Sequence, residues 1–451
     1  MNPKISWSSG LALTVLLVSV ALTACGYKTT TTYGAPIAVA LARYNANGTP
    51  DTTNLVGGTG LVTTDVNTSQ DDIAFAVVRQ PADGKIIAVG TSFTTPASVV
   101  VIRYNVDGTR DSTFGSNGIT VTSLPSASAT AFAATLQADG KLLVAGRSCP
   151  VSGVSSFLLL RYNTAGAPGT PGTLDTGFGT GGIVTTPIPS GSSTTANAVA
   201  VSGTNILLAG HSKISAKFVI ALAQYTSSGA LDSTFGSGGI VTTAVGSLDA
   251  DAAALAVQGD GKIVAAGLAG SVVSNIWDVA LLRYNTDGTL DLPFGGTNTG
   301  MITTDIGSSS NYANAVALQA DGKIVVVGNA FANPFAGTSD IAVLRYNADG
   351  SLDTTGFGNP NGYVTTNVGA FDNGFAVAVQ PLDGKIVVAG NADAGTSDRL
   401  ALLRYNADGS PDSGFGTSGV VTRAASGPSI IAGANAVVLQ PGGEIVVAGY
   451  D

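Results

Sequence analysis

The residues with chemistry to offer recur along the chain. At Arg345–Asp353 it reads RYNADGSLD, which sets Arg345, Asp349 and Asp353 in an i, i+4, i+8 series. The same trio stands at Arg103, Asp107 and Asp111, and again at Arg404, Asp408 and Asp412. Carboxylates at such spacing around a glycine suit a calcium loop, D-x-D-x-D-G-x-x-D, in which several hard oxygens share one cation. Here an arginine holds the first ligand position. A fixed guanidinium beside two aspartates neutralises them through charge-assisted hydrogen bonds and repels a metal. In two copies the middle aspartate gives way to Ala165 and Ser228. The expected structure is a turn with no metal. Asn and Asp bond nearby backbone amides, Gly takes a positive φ, and Phe114, Phe178, Phe235, Phe294, Phe357 and Phe415 plug gaps between units. Calcium is the alternative. No cofactor is implied.

The other reactive residues are scattered. A single histidine, His211, cannot build a His-rich metal site. Neither a Ser-His-Asp set nor a glutamate pair is evident by spacing, so no catalytic residue is assigned. Function resides in what differs between copies. The ligand-binding candidates are therefore His211, Lys213, Trp277, Phe331 and Phe335, in or beside the variable spans 91–98, 147–156, 211–217, 268–278, 329–340 and 391–398. These spans should gather on one side of the molecule. A net charge of −9 with no polybasic run argues against a nucleic-acid partner.

What must position these residues is a repeat of about sixty residues. Arg-Tyr-Asn words begin at Arg43, Arg103, Arg161, Arg283, Arg345 and Arg404, with a degenerate copy at Gln224. A second word, LQADGKIVVVG at Leu318, alternates with the first; its copy at Val201 lacks Asp-Gly-Lys, and the last reads Gly442-Gly443-Glu444. Each period offers four short strands, exemplified by 315–319, 323–328, 341–346 and 363–366. Asp-Gly between apolar runs marks a tight hairpin, hence antiparallel pairing. Runs that are apolar at consecutive positions require cover on both faces. Seven small four-stranded sheets that cover one another form an all-β, seven-bladed propeller. The chain enters at a third strand, 38–44, and ends just after a second strand, 444–449. The preferred frame therefore has N- and C-terminal strands sharing one blade, which closes the ring.

The leader carries an address. Leu11–Leu22 is apolar, short for a membrane span, and ends in Leu22-Thr23-Ala24-Cys25. That ending resembles the bacterial lipobox. The resemblance implies a signal peptide over 1–24, lipid attachment at Cys25, and Cys149 left as a lone thiol. Gly26 after the cysteine points to the outer membrane, with the lipid as the only membrane contact. Residues 25–36 form a Thr-rich tether, and 37–451 the propeller. The paired words RYN-x-DG-xx-D-xx-FG and LQ-x-DGKI-xx-AG are similar to the bacterial delta-60 repeat family. That resemblance implies exported seven-bladed propellers and no settled activity. The chain departs from the pattern at Gln224 and Thr226, at 163–166, and near Asn54-Leu55, where Phe-Gly is missing.

The expected function is a cell-envelope scaffold that binds a protein or glycan through variable loops. The alternative is a polymer-active hydrolase or lyase that uses aspartates as acid and base.

Overall fold

The computed structural model describes residues 36–151, 153–164, 169–271, 276–307, 309–333, 338–393, 397–425 and 432–451. Seven four-stranded antiparallel sheets follow one another around a ring. In the fifth blade the strands are Asn311–Leu318, Ile324–Asn333, Thr338–Tyr346 and Tyr363–Thr366, with Leu318 opposite Ile324, Ile324 opposite Tyr346, and Leu344 opposite Tyr363. The closing blade is ordered Leu61–Thr64, Val39–Tyr44, Ile445–Tyr450, Gly433–Leu439. The clasp expected from the sequence is thus present.

Alternation along each strand divides the core between neighbours. Val325, Val327, Ile341 and Val343 pack with Ile386, Val388 and Leu403 of the next blade. Ile324, Val326, Ala342 and Leu344 pack with Val264, Val279 and Leu281 of the preceding blade. A strand used on both faces reads as an unbroken apolar run, which is why no polar alternation shows in the sequence. The first strands of all seven blades stand side by side around the axis, and the ring closes where Gly433–Leu439 meets Asp72–Arg79.

The second strands run further than the sequence suggests. They continue past the Ala-Gly or Val-Gly pair to Ser92, Pro150, Ile214, Ser271, Asn333 and Asp393. Several of the variable spans are therefore strand ends rather than loops.

Candidate functional site

One end of the ring holds the repeated charges. Arg345 donates through Nε to Asp353 (2.9 Å) and through a terminal nitrogen to the Ala407 carbonyl of the next blade. Lys323 of the Asp-Gly-Lys hairpin donates to the same Asp353 oxygen at 2.9 Å. The two repeated words therefore meet on one carboxylate. Burial alone would raise the Asp353 pKa, but Lys323 and Arg345 outweigh it and hold the carboxyl below its usual range. The Arg345 guanidinium also lies 4.9 Å from the centroid of Phe357, a ring with no exposed surface.

The arrangement recurs at Arg103–Asp111–Lys85, Arg161–Asp175–Lys141, Arg283–Asp291–Lys262 and Arg404–Asp412–Lys385. Arg404 reaches the carbonyl of Ala46, so the same bond crosses the ring closure. In the degenerate copy both cations are replaced together: Gln224 and Asn205 each donate to Asp232 at 2.9 Å.

Asp349 does not share the Arg345 site. Its carboxylate accepts from the Ser351 amide at 2.9 Å and from the Ser351 hydroxyl at 2.7 Å, closing the turn in which Gly350 takes φ +92°. Those Ser351 bonds lower its pKa. Asp107 and Asp408 cap their turns in the same way, through Thr109 and Ser410. At Gly350 an added Cβ would come within 2.8 Å of the Phe294 ring, so glycine is needed for space as well as for φ. In the first copy, where Phe is missing, Leu55 fills the place and lies against Gly108. Among the described residues no group of three or more His, Cys, Asp or Glu side chains could hold a metal ion.

The opposite end is built differently in each blade. Every first strand carries a bulge, at Phe75, Phe132, Asn197, Ala253, Asn314, Phe375 and Asn435. The bulge pushes a carbonyl against the second strand. A Cβ on Gly328 would lie 1.7 Å from the Tyr312 oxygen, and one on Gly210 2.0 Å from the Thr195 oxygen. This crowding explains the recurrent glycine that ends the second word. The bulge residues face the axis, and none repeats around the whole ring. Phe75 and Phe132 meet edge to face with centroids 5.5 Å apart. Asn197, Asn314 and Asn435 donate to the next blade at Ala252, Gly374 and Ala74.

Directly after each repeated glycine stand Thr91, Arg147, His211, Leu268, Asn329, Asn391 and Tyr450; Asn329 and Asn391 accept from Asn314 and Asn373 of their own blades, whereas Thr91, His211 and Tyr450 address the following blade. Thr91 accepts from the Ala131 amide (3.1 Å), and Tyr450 packs with Ile73. His211 is 1% exposed, with Nδ1 3.0 Å from Asp251 of the next blade. The pair is not aligned as a hydrogen bond, and both ring nitrogens lack one. Phe218 meets His211 edge-on at 5.0 Å, with the Lys213 ammonium 5.5 Å from the Phe218 ring.

His211 and Lys213 thus sit in a strand with Asp251 and Phe218 about them, and His211 is interior rather than displayed on a loop. Trp277 is half-buried in Ile276–Tyr284. Phe331, in Ile324–Asn333, stacks edge-on with Tyr312 at 5.6 Å. Phe335 and Cys25 lie outside the described residues. Cys149, expected as a lone thiol, is instead disulfide-bonded and 4% exposed.

Sequence reasoning missed Arg147, Thr195 and Asp251. The signal available was position: each falls at a fixed offset from the repeated glycine, yet its identity varies between copies. Also at this end, Asp398 stands opposite Asp393 in the sixth blade. Burial and then the Asp393 charge push its carboxyl up to about 6.

Six segments, 29–53, 82–114, 137–168, 258–294, 319–355 and 382–415, match the model of a domain of unknown function, the DUF5122 β-propeller. No curated protein matches the chain. Similar solved structures include Sqt1 of Chaetomium thermophilum bound to the N-terminus of ribosomal protein L10. It shows 12% identity over 82% of this chain and 78% of that one, at a TM-score of 0.41. A polysaccharide lyase of the PL25 ulvan lyase family shows 12% identity over 78% and 83%, at 0.43. An α-L-arabinanase of Penicillium chrysogenum shows 12% over 82% and 98%, at 0.42. The chain is a seven-bladed β-propeller whose repeats are similar to that family of unknown function.

Proposed function

We propose that this protein is an exported binding scaffold of the cell envelope, anchored by lipid at Cys25 and engaging a protein or glycan at the bulged end of its ring. One observation carries the reading. At the Arg–Asp–Lys end each repeat arginine donates to a carbonyl of the next blade, so this end is spent on joining blades in six of the seven copies. The other end presents side chains that vary between blades, with Phe, Asn or Ala at the bulge and six residue types after the glycine, which is where specificity can be written without disturbing the ring.

The test is retention of envelope glycans and cross-linked envelope proteins by the purified chain. A triple variant, Lys213→Ala, Trp277→Ala and Phe331→Ala, should lose the retained ligand while its melting temperature changes little. Equal retention by the variant, or loss on altering Asp107 and Asp408 instead, would reject this face.

The anchor has its own test. In a chain with two cysteines the disulfide at Cys149 and a lipid on Cys25 are alternatives, so the anchored form must carry Cys149 reduced. Mass spectrometry of the mature chain should find acylated Cys25 and no bridge between Cys25 and Cys149; an intact bridge with no lipid ends the anchor proposal.

A second reading, an enzyme acting on an extracellular polymer, draws on Asp398. A carboxyl that titrates near 6 beside a second carboxylate has the form of a general acid. Hydrolytic or lyase activity that vanishes in Asp398→Asn with folding intact would favour it.

A further inference from the structure

Arg147 is a buried cation without a counter-charge. It is 7% exposed, and its Nε is sealed from water with no hydrogen-bond partner. Among the described residues no carboxylate pairs with it, whereas the repeat arginines Arg43, Arg103, Arg161, Arg283, Arg345 and Arg404 each hold an aspartate. Burial is the sole influence on its pKa and lowers it. A guanidinium cannot escape that cost by losing its proton at any ordinary pH. The fold therefore keeps a buried charge at this point that no carboxylate among the described residues offsets, and an incoming anion would offset it.

Its surroundings define the anion. Arg147 holds in the second blade the place that His211 holds in the third and Tyr450 in the closing blade. Those two reach Asp251 and Ile73 of the blade that follows, at the residue two before the bulge. The corresponding position on the blade after Arg147 is Thr195, whose hydroxyl is buried and unbonded. Thr195 lies directly opposite His211, whose two ring nitrogens also lack hydrogen bonds. On the other side, the bulge of Arg147's own blade is Phe132, edge-on to Phe75, which leads into the apolar group Ile37, Ile73, Phe93 and Tyr450.

We propose that Arg147 is the anion-recognition residue of a site at the bulged mouth of the ring, and that the ligand is a uronic-acid-bearing glycan. The inference rests on the scaffold reading and names its ligand class. A carboxylate takes the guanidinium fork in two parallel bonds. Thr195 and His211, 0% and 1% exposed, lie too deep for the sugar itself and take water as the partner they lack. The apolar C–H face of a sugar ring suits Phe132 and Phe75. An acidic peptide brings the carboxylate but not the apolar C–H face of a sugar ring beside it.

The experiment is calorimetric titration of the full chain with oligogalacturonate, with inorganic sulfate and a Glu-rich peptide as separate arms. The wild type should bind the oligouronate. Arg147→Met should weaken it by roughly thirtyfold or more, and Arg147→Lys by less, because a point charge replaces the fork. Arg147→Met should also melt no lower than the wild type, and oligouronate should raise the melting temperature of the wild type only. A marked drop in the melting temperature of Arg147→Met would show a structural partner and overturn the proposal. So would equal oligouronate binding by wild type and variant, or no oligouronate binding at all. Binding of sulfate or peptide in preference would refute the sugar assignment. If the envelope ligand is still retained by Arg147→Met, the scaffold reading stands while this site falls.

Discussion

Single residues carry the seams between blades. Asp353 is the shared anion of Arg345 and Lys323, so Asp353→Asn leaves two cations facing each other and should cost about 3–5 kcal/mol in denaturant unfolding. Arg345→Met should cost less, because Lys323 remains on the aspartate. Phe415→Ala should cost about 3–5 kcal/mol, since the ring is wholly buried where the sixth blade meets the closing one. Acid should act on the seams late. Burial tends to raise Asp412, yet Lys385, the Gly414 amide and Arg404 hold it at about 2, below its usual 3.8. Its contribution is complete above 3.8 and is lost as pH falls through 2. Asp398 has the opposite sign. Its folded form binds the proton up to about 6, so its ionisation destabilises the protein increasingly as pH rises from 3.8 through 6. Asp398→Asn should therefore raise the melting temperature at pH 7 and leave it nearly unchanged at pH 3.5. An equal shift at both would refute the assignment.

At the scale of elements, the bulge governs the design. It costs each first strand its regular pairing, turns one side chain toward the axis, and leaves no room for a Cβ across the ladder. Gly328→Ala should therefore destabilise by about 1–3 kcal/mol or more, because the clash is with backbone rather than a side chain that can swing away. Gly259→Ala, where nothing lies within 4 Å, should change stability by less than about 0.5 kcal/mol. Comparable losses at both positions would mean that glycine serves the repeat for another reason. The tyrosine of Arg-Tyr-Asn is a second inter-blade device. Tyr346 bonds Thr304 of the preceding blade at 2.7 Å, and Tyr405 bonds Thr366 at 2.7 Å. At the closure Arg423 stands where the threonine would be, and Tyr44 lacks the bond. Burial pushes the Tyr44 hydroxyl up to about 12 against the opposing Arg423 charge.

For the whole molecule, the closing seam is also the irregular one. Glu444 stands where other blades carry the lysine, Leu55 replaces the phenylalanine, and a cleft of about 940 Å³ opens there between Arg43, Asp51, Arg79 and Glu444. The ring nevertheless depends on it, because every first strand needs two neighbours. Deleting Gly433–Asp451 removes half of the closing blade and should abolish amide protection in all blades together. Loss confined to the first and sixth blades would mean that the blades are stable one by one.

The repeat words by themselves determined the ring. Glycines, aspartates and apolar runs act through short-range rules, and seven copies of a local rule leave one closed solution. The same words gave the Asp-capped glycine turn, though the structure moved Arg345's charge to Asp353 alone and brought in Lys323 from the other word. Only the tertiary structure decided the rest. Which side chain follows the conserved glycine has no meaning along the chain. It gains one when the bulge aims it at the next blade, some sixty residues away. Arg147, Thr195 and His211 are unremarkable as single letters, and they become a site because the ring stacks their blades side by side.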